Sequence, residues 1–583
     1  MKEFKRLFGY LGPYKKDFYL GAILVIIETC FELIIPILMA DIIDIGVVNR
    51  DMHIIYIRGI EMGICAILAL VTGLLYARFA ARASYGFGAR LREAEYAKIQ
   101  SYAFSNLDRF DTSSLVTRMT TDVTVLQNAI TAGIRPMMRS PVMLILGVGL
   151  SVWMNAKLSL VFLISAPLLA ISLAFIVRKV APMYSRLQKA VDQVNGVVQE
   201  GLTAIRAVKA FVRGEYEEEK FQAVNSELME TSQKTFHYAV LNLPAFQLVM
   251  YLAIVLIMWF GGNMIIDSTL QVGELTGFLS YVLQVMNSLM MFSNIFLLLT
   301  RSLASVHRVY EVLDEEPEIT SSAVAETQIK DGSIDFKNVS FKYHPEADEY
   351  ALSNVNLHIK AGQTVGILGG TGSAKTTLVQ LIPRLYDATA GEVRVGGKNV
   401  KEYDLAALRD AVGIVLQKNV LFSGTIRENL LWGNKEADDE QLRRACQIAC
   451  ADEFIDRMPK GLDTDLGQGG VNVSGGQKQR LCIARTLLKN PKILIFDDST
   501  SAVDTATEGK IRTALAEIPD MTKIIIAQRI TSVIDTDQII ILDDGKVNAT
   551  GTHEELLQSN PIYQEIYYSQ VKGGDQDGAS AER

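Results

Sequence analysis

The sequence predicts two unlike parts: an all-α, six-helix polytopic transmembrane domain with long intracellular helices, followed by a soluble α/β domain. Three observations lead there. Six apolar runs long enough to cross a bilayer precede Leu313, and strand–turn–helix alternation begins at Asp331. A mean hydropathy of +0.20 coexists with 21% charged residues, as expected when an apolar part is joined to a polar one. At 583 residues the chain is also too long for one ordinary core.

The N-terminal stretch Met1–Lys16 is basic and aromatic, so it reads as an interfacial lead-in helix rather than a cleavable signal. The apolar runs follow at 18–43, 60–77, 134–153, 158–177, 239–265 and 275–299. Their junctions alternate in character. Those around Gly46–Ile54, Trp153–Lys157 and Ile266–Glu274 are short and hold few Lys or Arg. Arg90–Arg118 and Arg178–Lys234 are long, charged and helical in pattern. Basic residues mark the cytoplasmic side of a membrane protein. Lys2, Lys5 and Arg6 therefore place the N-terminus inside, and Arg78, Arg82, Arg178 and Lys179 place the long junctions inside. Both termini are expected in the cytoplasm, with the protein in a bacterial inner or plasma membrane.

The predicted boundaries are a transmembrane domain over 1–312, an acidic linker over 313–330, the α/β domain over 331–571, and a small, polar, disordered tail over 572–583. The net charge of -8 argues against nucleic acid as a partner. Of the five cysteines none forms a CxxC pair; Cys446 and Cys450 have helical spacing and read as small buried hydrophobes. The six histidines are scattered, which gives no pattern for a metal cluster.

The chemistry lies in the second part. Val365-Gly366-Ile367-Leu368 reads as a buried strand. It feeds the turn Gly369, Gly370, Thr371, Gly372, Ser373, Ala374, Lys375, Thr376, Thr377 and then a helix. This is a phosphate loop: backbone N–H groups of a glycine-rich turn and a helix N-terminus surround phosphate oxygens. Lys375 would reach the β- and γ-phosphates, and the Thr376 hydroxyl would hold Mg²⁺. Ala374 stands where glycine is expected, and its methyl disfavours positive φ. Binding is expected to survive if the backbone there is helical. A second buried strand, Lys492–Phe496, ends in Asp497, a carboxylate placed to organise Mg²⁺.

Between these lies Ser474, Gly475, Gly476, Gln477, leading into an amphipathic helix. With these motifs the chain resembles the ABC transporter family, in particular exporters that fuse a six-helix membrane domain to a C-terminal ABC nucleotide-binding domain. The resemblance covers nearly the whole chain and implies ATP and Mg²⁺ as ligands. It implies that Ser474–Gln477 face the γ-phosphate of ATP held by another domain, and that Tyr343 stacks on adenine. It implies that Gln417 meets Mg²⁺ and the attacking water, and that Ser501-Ala502-Val503-Asp504 crosses the domain dimer interface. Gln468-Gly469-Gly470 would touch cytoplasmic helices, and the helix reversals Phe104–Phe110 and Gly201–Phe211 would couple the two domains.

Two residues depart from the family pattern. Active members carry Glu after the Mg²⁺-organising Asp; here it is Asp498, whose carboxylate is retracted by about 1.5 Å from the reach general-base work needs. Their switch histidine is replaced by Gln528, an amide that hydrogen-bonds phosphate but cannot carry positive charge or relay a proton. The catalytic set Asp498, Gln528 and Gln417 is therefore expected to be slow or inactive. The pattern resembles the degenerate subunit of heterodimeric bacterial multidrug exporters, with a second half-transporter as partner. The expected cargo is an amphipathic small molecule. A lipid flippase and an ATP-binding regulatory or channel subunit are the alternatives.

In the membrane part, Glu28, Glu32, Glu61, Arg135 and Arg139 are ionisable groups at or near membrane depth. They suit either internal ion pairing or contact with a cationic cargo. Phe246, Met250, Met286, Met290, Met291 and Phe292 suit either a plastic cavity or plain helix packing, and Pro244 predicts a kink.

Overall fold

Each apolar run falls on a helix: α1 (Lys15–Asp41), α2 (Met52–Gln100), α3 (Val123–Met154), α4 (Leu160–Thr203), α5 (Gly214–Ile266) and α6 (Val272–Asp314). The computed structural model describes residues 2–321, 325–498 and 503–579, and within these all side chains except those of 2–5, 293, 294, 296–301 and 571–579. At 1.5 Å per residue, the 49 residues of α2 run about 73 Å, more than twice a hydrocarbon core of about 30 Å. The excess carries the charged junctions. Helix α5 is interrupted at Leu241, three residues before Pro244. Proline lacks an N–H and its ring clashes with the carbonyl four residues back, which is that of Val240, where the first segment ends.

By compactness the chain divides into Met1–Gln100 with Thr112–Glu315, and Ser101–Asp111 with Glu316–Arg583. In the first unit, α1 and α3 carry the ion pairs Glu28–Arg135 and Glu32–Arg139, the latter at 2.6 Å. Glu61 pairs with Arg58, one turn earlier, at 2.7 Å. The three carboxylates thus take the internal-pairing arrangement. Its physical reason is the several kcal/mol that an unpaired ion costs in an apolar setting. Phe246 and Met286 lie in one packed cluster with Phe162 and Leu169, so helix packing accounts for these two; Met250 and Met290 sit partly buried at its edge. Met291 and Phe292 are half-buried. Asp44, three residues past the end of α1, accepts hydrogen bonds from the N–H groups of Gly273 (2.5 Å) and Glu274 (2.9 Å). It thereby satisfies the open donors at the start of α6.

The reversal Phe104–Phe110 groups with the second unit, unlike the linear boundaries. Tyr386 O–H donates to Asp108 at 2.7 Å, and the Phe104 and Tyr386 rings are 6.1 Å apart. Buried Asn106 donates to the Glu316 carbonyl (2.9 Å) and accepts from the Glu318 N–H (3.1 Å). The reversal Gly201–Phe211 stays with the first unit and forms the short helix Ile205–Ala210. Phe211 and Val212 at its end are 78% and 87% exposed.

Among the described residues, the second unit is built on ten strands: β1 (Ile334–Phe341), β2 (Leu352–Ile359), β3 (Thr364–Leu368), β4 (Ala390–Val395), β5 (Lys398–Asn399), β6 (Val412–Val415), β7 (Ile493–Asp497), β8 (Thr522–Ile526), β9 (Gln538–Asp543) and β10 (Lys546–Gly551). An antiparallel sheet is ordered β2-β1-β4-β5, and a mainly parallel one β10-β9-β3-β8-β7-β6. Side chains alternate across a strand, and both faces of the second sheet are covered. Ile493 and Ile495 of β7 join one core while Leu494 and Phe496 join the other; Ile524 and Ile526 of β8 oppose Ile525 in the same way. Hence these strands read as unbroken apolar runs. The helices used below are α7 (Lys375–Gln380), α8 (Gly475–Leu488), α9 (Thr505–Ala516) and α10 (Pro561–Ala579). Helix α10 opens with proline at its first position, where no N–H is needed, and continues past 571 into the segment whose composition predicted a tail.

Candidate functional site

Parallel strands deliver their C-terminal ends to one edge of a sheet, and this brings the predicted residues together. Strand β8 lies between β3 and β7, with Ile367 opposite Ile526 and Asp497 opposite Ile526 on the other side. The loop after β3, the end of β7 and the turn after β8 therefore meet. They line a cleft of ≈ 570 Å³ that includes Tyr343, Gly369–Thr377, Gln417, Asp497, Asp498 and Gln528. Ile566 of α10 also lines it.

The loop is tight at its start. A Cβ on Gly369 would lie 2.2 Å from the Leu542 carbonyl oxygen, so only glycine fits. The Lys375 ammonium donates to the carbonyls of Gly369 (2.8 Å) and Gly370 (2.7 Å), which holds it inside the loop. Burial pushes this ammonium below the usual lysine range, and the charges of Asp498 and Asp497 oppose that shift. Thr376 donates its hydroxyl to Asp497 Oδ1 at 2.8 Å. Asp497 is 1% exposed, and burial raises its carboxyl above the usual range. A hydroxyl and a carboxylate side by side are hard oxygen donors, and this set fits Mg²⁺. Gln417 follows β6, which pairs with β7 through Val415 and Phe496, so it reaches the same edge. Tyr343 shares a hydrogen bond of 2.8 Å with the Thr377 hydroxyl and packs edge-on against Phe341 and Tyr386.

Ala374 is not helical. It has φ 68° and ψ 28°, in the left-handed region, immediately before α7. The condition on which its tolerance was expected to rest is thus not the one the chain uses. An L-residue there costs about 1 kcal/mol, which the anchoring of the loop offsets. Ala374→Gly is expected to raise the thermal midpoint of the chain while changing ATP affinity by less than about fivefold, the equivalent of about 1 kcal/mol. Thermal unfolding and titration with a fluorescent nucleotide check both parts.

The two departures touch each other. Gln528 Nε2 donates to Asp498 Oδ2 at 2.7 Å. Asp498 itself has φ 46°, and its N–H bonds the Ile526 carbonyl at 3.2 Å. Aspartate tolerates this left-handed conformation better than most residues.

Other predicted residues lie elsewhere. Ser474 is exposed and caps α8: its N–H donates to Gln477 Oε1 at 2.9 Å, and its hydroxyl accepts from the Gln477 N–H at 3.4 Å. Ser474, Gly475, Gly476 and Gln477 are not among the residues lining the cleft. Lys478 donates to the Gly469 carbonyl (2.9 Å), which ties the Gln468–Gly470 turn to α8. Asp504 caps α9 by accepting the Thr507 N–H at 2.9 Å, and this bond holds its carboxyl below the usual range. Ser501 and Ala502 of the same loop lie outside the described residues. The contribution of α10 to the cleft has no signal in sequence spacing.

Comparison with known proteins finds two family matches: the ABC transporter transmembrane region over residues 18–289 and the ABC transporter domain over residues 352–501. An uncharacterized ABC transporter ATP-binding protein, YfiB of Bacillus subtilis, is 39% identical over 97% of this chain and 98% of its own length. The ATP-dependent lipid A-core flippase of Desulfotalea psychrophila is 31% identical over 97% of this chain and 99% of its length. A putative multidrug export ATP-binding/permease protein of Bacillus subtilis, YgaD, is 29% identical over 97% and 99%. A solved bacterial Atm1-family ABC exporter with ATP bound shares the fold, with a TM-score of 0.82 at 24% identity over 95% of this chain and 99% of that one.

Proposed function

This chain belongs to the ABC transporter family as an exporter half-transporter, a multi-pass membrane protein with a transport-coupled ATPase domain, and on that premise we propose that it is the weaker-site subunit of a heterodimeric exporter. Its own cleft holds ATP and turns it over slowly or not at all. Its Ser474–Gln477 signature completes the cleft of a second half-transporter, where hydrolysis occurs. The observation that carries this reading is the bond between the two departures. The Asp498 carboxylate, already short, is engaged by the Gln528 amide at 2.7 Å, which takes up one of the oxygens that general-base work needs, and an amide cannot relay a proton.

Other features support it. The loop N–H groups and Lys375 bind phosphate oxygens, and Tyr343 faces the adenine. Thr376, Asp497 and Gln417 would hold Mg²⁺, which when bound supplies positive charge between phosphate oxygens. Ser474 lies off the chain's own cleft, as a group serving another chain's ATP would. The exposed apolar tip at Phe211 and Val212 suits burial against a partner, and Asp504 belongs to the loop that would cross the interface between two nucleotide-binding domains. The termini are cytoplasmic, and ATP-driven closure of two such domains opens the membrane part outward.

The cargo class is an amphipathic small molecule. A lipid is the second reading, favoured by the relative named as a lipid A-core flippase. Phosphate release decides the main claim: the full chain purified alone is expected to turn over ATP at least tenfold more slowly than the chain co-expressed with its partner half-transporter. Vigorous turnover by this chain alone sinks the heterodimer. Drug efflux and lipid translocation in vesicles holding the pair separate the two cargoes, and current without ATP turnover points to a channel subunit.

A further inference from the structure

The turn that carries Gln528 is held from outside the sheet. Gln570, on α10, accepts the Ile530 N–H through Oε1 at 2.9 Å and donates through Nε2 to the Gln528 carbonyl at 2.8 Å. Both ends of one amide are thus spent on the backbone flanking Arg529. Glutamine suits this place because it carries a donor and an acceptor at once; Glu would only accept and Lys only donate.

Helix α10 is itself anchored. Tyr563 is 0% exposed, and its O–H pairs with His553 Nδ1 at 2.6 Å. The Tyr563 N–H bonds Asn560 Oδ1 at 2.9 Å, and Asn560 Nδ2 donates to Asn548 Oδ1 at 2.7 Å, fixing the start of α10 beside β10. Positions 563, 566 and 570 fall on one face at helical spacing. That face seats Tyr563 in the core, presents Ile566 to the nucleotide cleft and places Gln570 on the turn.

We propose that Gln570 is a positioning residue of the ATP cleft: from the C-terminal helix it sets the backbone of the Gln528 turn, and with it the alignment of the Gln528 amide toward the γ-phosphate and Asp498. The proposal rests on the reading that Gln528 meets the γ-phosphate. It makes the docking of α10 a determinant of how well the cleft tells ATP from ADP.

The test uses the full-length chain and titrates fluorescent ATP and ADP analogues. Gln570→Met keeps length and apolar packing but loses both hydrogen bonds. It is expected to lower the ATP-to-ADP affinity ratio about fivefold, chiefly through weaker ATP binding, with the thermal midpoint moved by no more than about 2 °C. In a Gln528→Ala background the same change is expected to have no further effect on the ratio. Hydrogen exchange should show the Ile530 amide losing protection in Gln570→Met. The proposal is overturned if Gln570→Met weakens ATP and ADP equally, leaves the ratio unchanged while Gln528→Ala lowers it, or adds its full effect to Gln528→Ala. If Gln528→Ala alone leaves the ratio unchanged, the γ-phosphate reading itself fails and the proposal falls with it.

Discussion

Changing Asp498 to Glu and Gln528 to His together is expected to raise ATP turnover at this chain's own cleft by about a hundredfold, near the lower bound for a restored general base. The added methylene returns about 1.5 Å of reach to the carboxylate, and the imidazole supplies a group that can carry a proton. The single changes should fall well short of the product. In the native chain Gln528 donates to Asp498 at 2.7 Å, so a lone Asp498→Glu leaves the amide competing for the new carboxylate. Residues in direct contact couple by about 0.5–3 kcal/mol, and the double-mutant cycle should show this. Asp498 has φ 46°, a conformation aspartate accepts more readily than glutamate. The thermal midpoint should therefore fall slightly even as activity rises. The measurement is phosphate release at saturating ATP by the full chain with the proposed partner half-transporter, the catalytic Glu proposed for that partner being changed to Gln to silence the other cleft. A double variant no faster than the native chain would show that the weakness does not lie in these two residues.

Much of this was legible in the sequence because strong local chemistry marks it. Strands β3, β7 and β8 are buried on both faces, so they appear as apolar runs. Their ends carry Gly369–Thr377, Asp497 and Gln528, and parallel pairing then brings those ends together. The six membrane helices were legible for a similar reason, since length and apolarity alone set them. What stayed hidden depends on partners far away in the chain. That Ala374 sits at φ 68° follows from how the loop is anchored, not from its neighbours in sequence. Gln570 meets the Gln528 turn only because Tyr563 and Asn560 fix α10. The internal pairing of Glu28 with Arg135 needed the facing of α1 and α3, which spacing along one helix does not supply. The grouping of Phe104–Phe110 with the second unit likewise rests on Tyr386 and Glu316, both more than 200 residues away.

The signature of this chain should act on a cleft other than its own, and Ser474→Asp isolates that role. Ser474 caps α8, with Gln477 closing the reciprocal bond. Aspartate is as good an N-cap as serine, so the helix and the fold are expected to persist. What changes is charge. A carboxylate about 4 Å from an anionic phosphate oxygen is opposed by about 4 kcal/mol at an effective dielectric of 20. Even with part of that screened, turnover at the composite cleft should drop by at least about a hundredfold, a loss of about 2.7 kcal/mol of barrier lowering. Ser474→Asn, which caps without charge, should lose much less. Nucleotide binding to this chain's own cleft should be unaltered by either change, because Ser474 does not line it. Asp497→Asn should do the reverse, weakening Mg²⁺-dependent binding in the chain's own cleft and leaving the signature intact. The assay pairs phosphate release by the co-expressed complex with nucleotide titration of the full chain alone. If Ser474→Asp left the complex at its native rate, the signature would not be facing a hydrolysed phosphate. If it weakened binding to the chain alone, the residue would be serving its own cleft, and the division of labour between two unlike subunits would lose its geometric basis.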